Sequence, residues 1–271
     1  MTRPFYWSVR REMWENRSIY VAPMIVAAFV LFVSLISMTW LSKRHAPVDT
    51  FNVTPAPIML ATFLVGLFYA LDALYGERRD RSILFWKSLP VSDRTTVLSK
   101  ACIPLVVLPM VAFVLSVATL FVLLLLASPI MLWKDVSLAT LWTEMRLFQK
   151  PLVMLYGLTA HTLWFAPIYA WVLLISAWAR RTPVLWVALP LIVISVAERM
   201  AFNTSSFLSL IRYRVTGAMT EAFVLNDGRI DRITQLDPAR FLSAPGLWLG
   251  LAFAAACLAA AVRLRRYREP I

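Results

Sequence analysis

Apolar positions in this chain come in long blocks, not at alternate or heptad spacing. Six blocks stand out, at 19–41, 56–75, 101–127, 151–179, 184–201 and 243–262. A helix crossing a hydrocarbon core of about 30 Å needs roughly 20 apolar residues, and each block is near that length. Four contain no Asp, Glu, Lys or Arg; the second holds Asp72, and the short fifth ends in Glu198 and Arg199. Strands of a membrane barrel would alternate apolar and polar positions, whereas these blocks are apolar all round, so they read as helices. The pattern predicts an all-α integral membrane protein: one domain, residues 1–271, with six transmembrane helices. The first 18 residues are too polar, and the first block too long, for a cleaved signal peptide; that block is expected to remain as an anchor.

Composition agrees. Hydrophobic residues make up 60% of the 271 positions and charged ones 15%, against about 25% charged in soluble domains. The net charge of +12 follows the membrane topology and does not point to a nucleic-acid partner. With both termini cytoplasmic, the inner segments 1–18, 76–100, 180–183 and 263–271 hold 16 Lys and Arg in 56 positions. The outer segments 42–55, 128–150 and 202–242 hold 10 in 78, as the positive-inside rule requires. Cys102 and Cys257 lie at or within apolar blocks and read as small core residues, with no disulfide framework or metal site.

The segment that membrane insertion does not explain is GERRDRSILFWKSLPVSDRTTVLSK, residues 76–100, between the second and third blocks. Nine of its 25 residues are charged, yet Ile83, Leu84, Phe85, Trp86 and Leu89 form an apolar cluster inside it. Residues 82–89 fit a short helix ended by Pro90, and Ser92 is placed to cap a second helix running through Lys100 into the third span. Such a cluster has two physical uses. It lies on the lipid interface, or it docks in a groove of a soluble partner, with aromatic anchors inside a polar rim. The N-terminal stretch 3–18 predicts an interfacial helix, with Tyr6, Val9, Met13, Trp7 and Trp14 toward lipid and Arg10, Arg11, Glu12 and Glu15 facing away.

These features together resemble the permease subunits of type-2 ATP-binding-cassette (ABC) exporters. The motif-level likeness covers residues 74–100, from the charged pair after span two through the SLPVS break to the Lys before span three. The architectural likeness is chain-wide: six spans, both ends inside, a basic amphipathic N-terminal helix and a larger outer connection before the last span. The resemblance implies a coupling helix that sits in a cleft of a separate ATPase, carried here by Glu77, Arg78, Ile83, Leu84, Phe85, Trp86 and Leu89. It also implies an elbow helix at 1–18, two ATPase subunits, a second permease subunit (homodimer or heterodimer) and a bacterial inner-membrane location. ATP and Mg would be bound by the ATPase, because this chain has seven glycines and no phosphate-cradling motif. No cofactor or metal is expected in the chain, and it is not expected to be an enzyme. It has two histidines and no nucleophile–base motif or close pair of membrane carboxylates.

Other positions carry open readings. His161 in the fourth block is either a pathway residue or a neutral imidazole bonded to a neighbouring polar group. Glu198 and Arg199 fit a structural pair or an outer gate; as helix neighbours they do not face each other, so each needs another partner. Pro104, Pro109, Pro167 and Pro190 allow kinks. Gly246 and Gly250 begin a small-residue stripe through Ala254, Cys257 and Ala261 that packs closely, within the subunit or against a second copy. The outer stretch 128–150 reads as amphipathic helices, and 202–242 as short membrane-dipping ones. The alternatives to an ATP-driven exporter are a secondary transporter, which would show internal repeats and mid-membrane ionisable groups, and a non-transporting scaffold.

Overall fold

The computed structural model describes residues 4–41, 55–80, 82, 91–133, 148–224 and 233–267. Among them the regular structure is helical, apart from one isolated bridge between Phe223 and Leu236. Six helices are long and apolar enough to cross a membrane: Ser18–Thr39, Pro55–Arg79, Asp93–Pro129, Gln149–Trp178, Pro183–Phe202 and Pro245–Tyr267. These are the six blocks of the sequence, so this is a multi-pass membrane architecture.

Helix α1 (Pro4–Glu15) precedes α2 (Ser18–Ile36), which ends in a π turn, Ser37–Leu41. The second span is α3 (Pro55–Asp72) and, after a turn, α4 (Tyr75–Arg79). The third starts a full two turns earlier than its apolar block, as α5 (Asp93–Cys102). The Ser92 hydroxyl accepts from the Thr95 backbone N–H at 3.1 Å, the cap expected from the sequence. A π turn at Ile103–Val107, containing Pro104, then passes into α6 (Leu108–Trp133). Proline removes one donor there, and the wider turn absorbs it.

Helix α7 (Gln149–Trp178) is the axis of the molecule. About three fifths of its apolar window is buried, whereas none of that of α8 (Pro183–Phe202) is. Trp164, Phe165, Tyr169, Val172 and Leu173 of α7 anchor the main core. The chain then enters α9 (Ser206–Ala222), a 3₁₀ turn at Ile233–Gln235, α10 (Pro238–Ser243) and α11 (Pro245–Tyr267). The small-residue stripe of α11 faces α7: Ala254 and Cys257 pack with Ala166 and Ala170. This settles the stripe's use among the described residues as close packing inside the subunit, where the absence of bulk lets two backbones approach. Helix α9 lies in the stretch 202–242, where short helices were expected. Its buried residues Gly217, Ala218 and Ala222 turn inward, and the Trp164 indole N–H donates to the Arg214 carbonyl at 2.9 Å.

The facing of α1 is corrected. Glu12 does not face away from the bundle with Arg10, and Arg11 turns in with it; Glu12 is the most buried residue of α1, 1% exposed. Tyr6, Trp7 and Trp14 are on the open side, where the Arg10 guanidinium stacks over both indoles at 5.2 and 4.6 Å. Val9 and Met13, expected toward lipid with them, pack instead on the core. Hydropathy placed Glu12 in water because the partners that neutralise it lie about 60 and 90 residues away in sequence.

Candidate functional site

Two features are built with more care than a bundle needs: a buried ion network at the end holding both chain termini, and a large apolar cavity beyond it.

Lys100 is the hub of the network. Its Nζ lies 3.0 Å from Glu12 Oε1 and 3.1 Å from Glu77 Oε1, with only 4% of the Lys side chain exposed. Arg11 reaches Glu12 at 2.7 Å and Glu77 at 3.6 Å. Arg265 pairs with Glu77 through Nη1, and its Nε contacts Asp93 Oδ1 at 3.2 Å. The Tyr69 hydroxyl donates to Glu12 Oε2 at 2.7 Å. Glu12, Glu77 and Asp93 thus face Lys100, Arg11 and Arg265, and the more exposed Glu15 meets Arg11 at 3.5 Å. Burial alone would raise the Glu12 carboxyl, but the Lys100 ammonium, the Tyr69 hydroxyl and Arg11 outweigh it and hold it below its ordinary value. Desolvated charges are tolerated at this depth only when paired in this way.

The network ties α1, α4, α5 and α11 together, and its geometry bears on residues 81–92. Glu77 precedes that segment and Asp93 follows it. Arg265 holds Glu77 before it and Asp93 after it, so one guanidinium fastens both stems. Arg78 is equally committed: Nη1 donates to the Ala177 and Ala179 carbonyls at 2.6 and 3.2 Å, a cation on the C-terminal end of α7. Above it, the Ser176 hydroxyl accepts from the backbone N–H groups of Leu74 and Tyr75. Of the coupling residues expected from the sequence, Glu77 and Arg78 therefore turn into the bundle. Ile83, Leu84, Phe85, Trp86 and Leu89 lie outside the described residues.

The cavity has a volume of about 1620 Å³ and is walled by α3, α6, α7, α8, α9 and α11. Phe63, Phe165, Tyr169, Ile194 and Phe253 make it apolar, and among its lining residues there is no Asp or Glu. His161 lines it, stacked on Phe165 at 4.1 Å and edge-on to Phe63 at 5.8 Å. Its described contacts are therefore rings, not the carbonyl or hydroxyl weighed from the sequence. Glu198 and Arg199 stand apart from one another. Glu198 caps α9, accepting from the Ser206 and Phe207 backbone N–H groups and the Thr204 hydroxyl, each at 2.8 Å. The Arg199 side chain is exposed.

Sequence reasoning passed over Arg214, which lines the cavity, and Trp164, the core residue that it stacks on. Trp164 is fully buried and Arg214 Cζ sits 4.9 Å from its ring. A Cβ on Gly217 would lie 2.6 Å from the indole. Helix propensity alone makes Gly→Ala stabilising by about 1 kcal/mol. Here the wedged ring should reverse the sign, so that Gly217→Ala lowers stability by about 1–3 kcal/mol. Thermal unfolding in dodecyl maltoside checks this; a more stable variant refutes the packing argument.

Comparison with protein-family models, curated proteins and solved structures finds no match for this chain.

Proposed function

We propose that this chain is the membrane-spanning permease subunit of an ATP-driven ABC exporter. It pairs with a second permease subunit and two separate ATPase subunits in a bacterial inner membrane, with both termini in the cytoplasm. The observation that carries the reading is the double fastening of segment 81–92 by Arg265. Ile83, Phe85, Trp86 and Leu89 supply apolar anchors for a soluble partner. A push received there passes through Glu77, Asp93 and Lys100 into the bases of spans two, three and six and into α1. Closure of an ATPase dimer can thereby shift the bundle between two arrangements and change which side the cavity opens to. The chain supplies force transmission and a path, and the nucleotide chemistry belongs to the partner.

A secondary transporter would need an ion-coupling group in the cavity. Among its described lining there is no Asp or Glu to take up a proton or sodium ion; His161 is packed against rings, and Lys150 and Arg214 are cations. The exporter reading gives residues 83–89 a use; a gradient-driven carrier does not.

The test is affinity purification of the tagged chain in mild detergent, followed by assay of ATP hydrolysis. The wild type should retain a nucleotide-hydrolysing chain, and Phe85→Ala/Trp86→Ala should reduce retention at least tenfold, the loss of about two anchors of 1 kcal/mol or more. The variant should still insert and unfold at the wild-type temperature. Equal retention by the double variant, or transport by the purified chain without nucleotide, defeats the proposal.

A further inference from the structure

Arg214 is a cation on the wall of an apolar cavity, and the fold goes to some length to hold it there. Its Nη1 donates to the Trp164 carbonyl at 3.2 Å and its Nη2 to the Gly246 carbonyl at 2.9 Å. The guanidinium lies over the Trp164 ring, and the Trp164 indole N–H bonds back to the Arg214 carbonyl. The missing side chain at Gly250 makes the space: a Cβ there would come within 1.8 Å of Nη2.

None of these partners is an anion. The described carboxylates on this side of the molecule are engaged elsewhere. Glu198 caps α9, Asp237 caps α10 through the Arg240 backbone N–H, and Glu221 accepts from the Tyr213 hydroxyl and pairs with Arg240 at 3.4 Å. A guanidinium has five N–H donors, and two are used here. Neutral carbonyls and a ring face fix its position and leave its charge uncompensated. In low-dielectric surroundings such a charge attracts an anion far more strongly than in water.

We infer that the cavity binds an anionic amphiphile, its carboxylate or phosphate-like head on Arg214 and its tail among the apolar residues. The volume fits: at about 1620 Å³ it exceeds the roughly 300–1,000 Å³ of a drug-sized site and leaves room for a long hydrocarbon body. Phe63, Phe165 and Phe253 offer the tail aromatic walls. This names the cargo class of the transport reading and rests on that reading for the word cargo. Binding itself requires neither nucleotide nor partner.

The experiment uses the full chain alone, in phosphatidylcholine nanodiscs, with the fluorescent fatty acid 11-(dansylamino)undecanoate as probe. Dodecyl phosphate and dodecyltrimethylammonium, which share a tail and differ in head charge, compete for it. The phosphate should displace the probe at a concentration about tenfold or more below the ammonium, as a charge-assisted contact requires. Arg214→Gln should bring the two within about twofold, while Arg214→Lys keeps the order. Gly250→Ala, whose Cβ displaces the guanidinium without removing it, should also weaken the preference. No charge preference in the wild type, or one that survives Arg214→Gln, overturns the inference. Discs containing phosphatidylglycerol separate two sources of the same chemistry. Loss of wild-type probe binding there, down to the level of Arg214→Gln, makes the occupant a bilayer lipid, and retention of binding makes it a single-chain amphiphile. A failed preference leaves the ATPase pull-down untouched, and a failed pull-down leaves the preference untouched.

Discussion

Lys100→Met is expected to cost about 3–5 kcal/mol of stability, because it strands Glu12 and Glu77 in a site from which water is excluded. Methionine keeps the length and most of the volume of lysine, so packing loss is a small part of the effect. Adding Glu12→Gln restores charge balance and should recover a substantial share, a coupling that a double-mutant cycle measures. Thermal unfolding of the four proteins in dodecyl maltoside is the readout. A Lys100→Met protein as stable as wild type would show that the network is wet. Acid offers an independent check. Glu12 is held below its ordinary value of 4.5, so the folded state gains from its ionisation. That gain is full above about pH 4.5 and is lost as the pH falls through the lowered value in the fold. Stability of the wild type should therefore drop below pH 4.5 more steeply than that of Glu12→Gln.

The second large effect belongs to the far end of the molecule. Trp164→Ala should lower stability by about 3–5 kcal/mol, the range for truncating a large buried aromatic side chain. The side chain is 0% exposed and meets Tyr213 edge-on at 5.3 Å and Phe241 at 6.2 Å. It also donates to the Arg214 carbonyl. Four helices, α7, α9, α10 and α11, converge on this one indole. Its loss should free α9 before the rest of the bundle melts. Limited proteolysis between residues 206 and 237 should then become fast in the variant while the spans stay protected. Protection of that segment in Trp164→Ala would place the strength of the α9 contact elsewhere. Trp164→Phe should fall between, keeping the ring contacts and losing the hydrogen bond.

What the sequence could tell divides along a physical line. The spans were legible because lipid imposes a length and a composition that one helix satisfies by itself. The Ser92 cap was legible for the same reason: donor and acceptor are three residues apart. The small stripe on α11 announced close packing, although its partner, α7, emerged only with the fold. Long-range electrostatics were not legible. Glu12 looks like a solvated residue of an amphipathic helix until Lys100 and Tyr69 are brought to it. Glu77 and Arg78 looked outward-facing within a charged loop, yet their partners, Arg265 and the last carbonyls of α7, are about 100 to 190 residues distant. The Arg214 site gave no signal at all, since one arginine in a polar stretch is common and its meaning comes from the hydrophobic walls around it.

The fifth span, α8, carries no charged residue before Glu198, and Pro183 is its sole buried residue. A helix so thinly attached to its own subunit resists sideways displacement poorly, since few side chains would lose a neighbour if it tilted. It also lines the cavity through Val187, Leu191 and Ile194. For the exporter proposed above, a displaceable α8 would admit cargo sideways from the bilayer, and entry would track its concentration in the membrane more closely than in water.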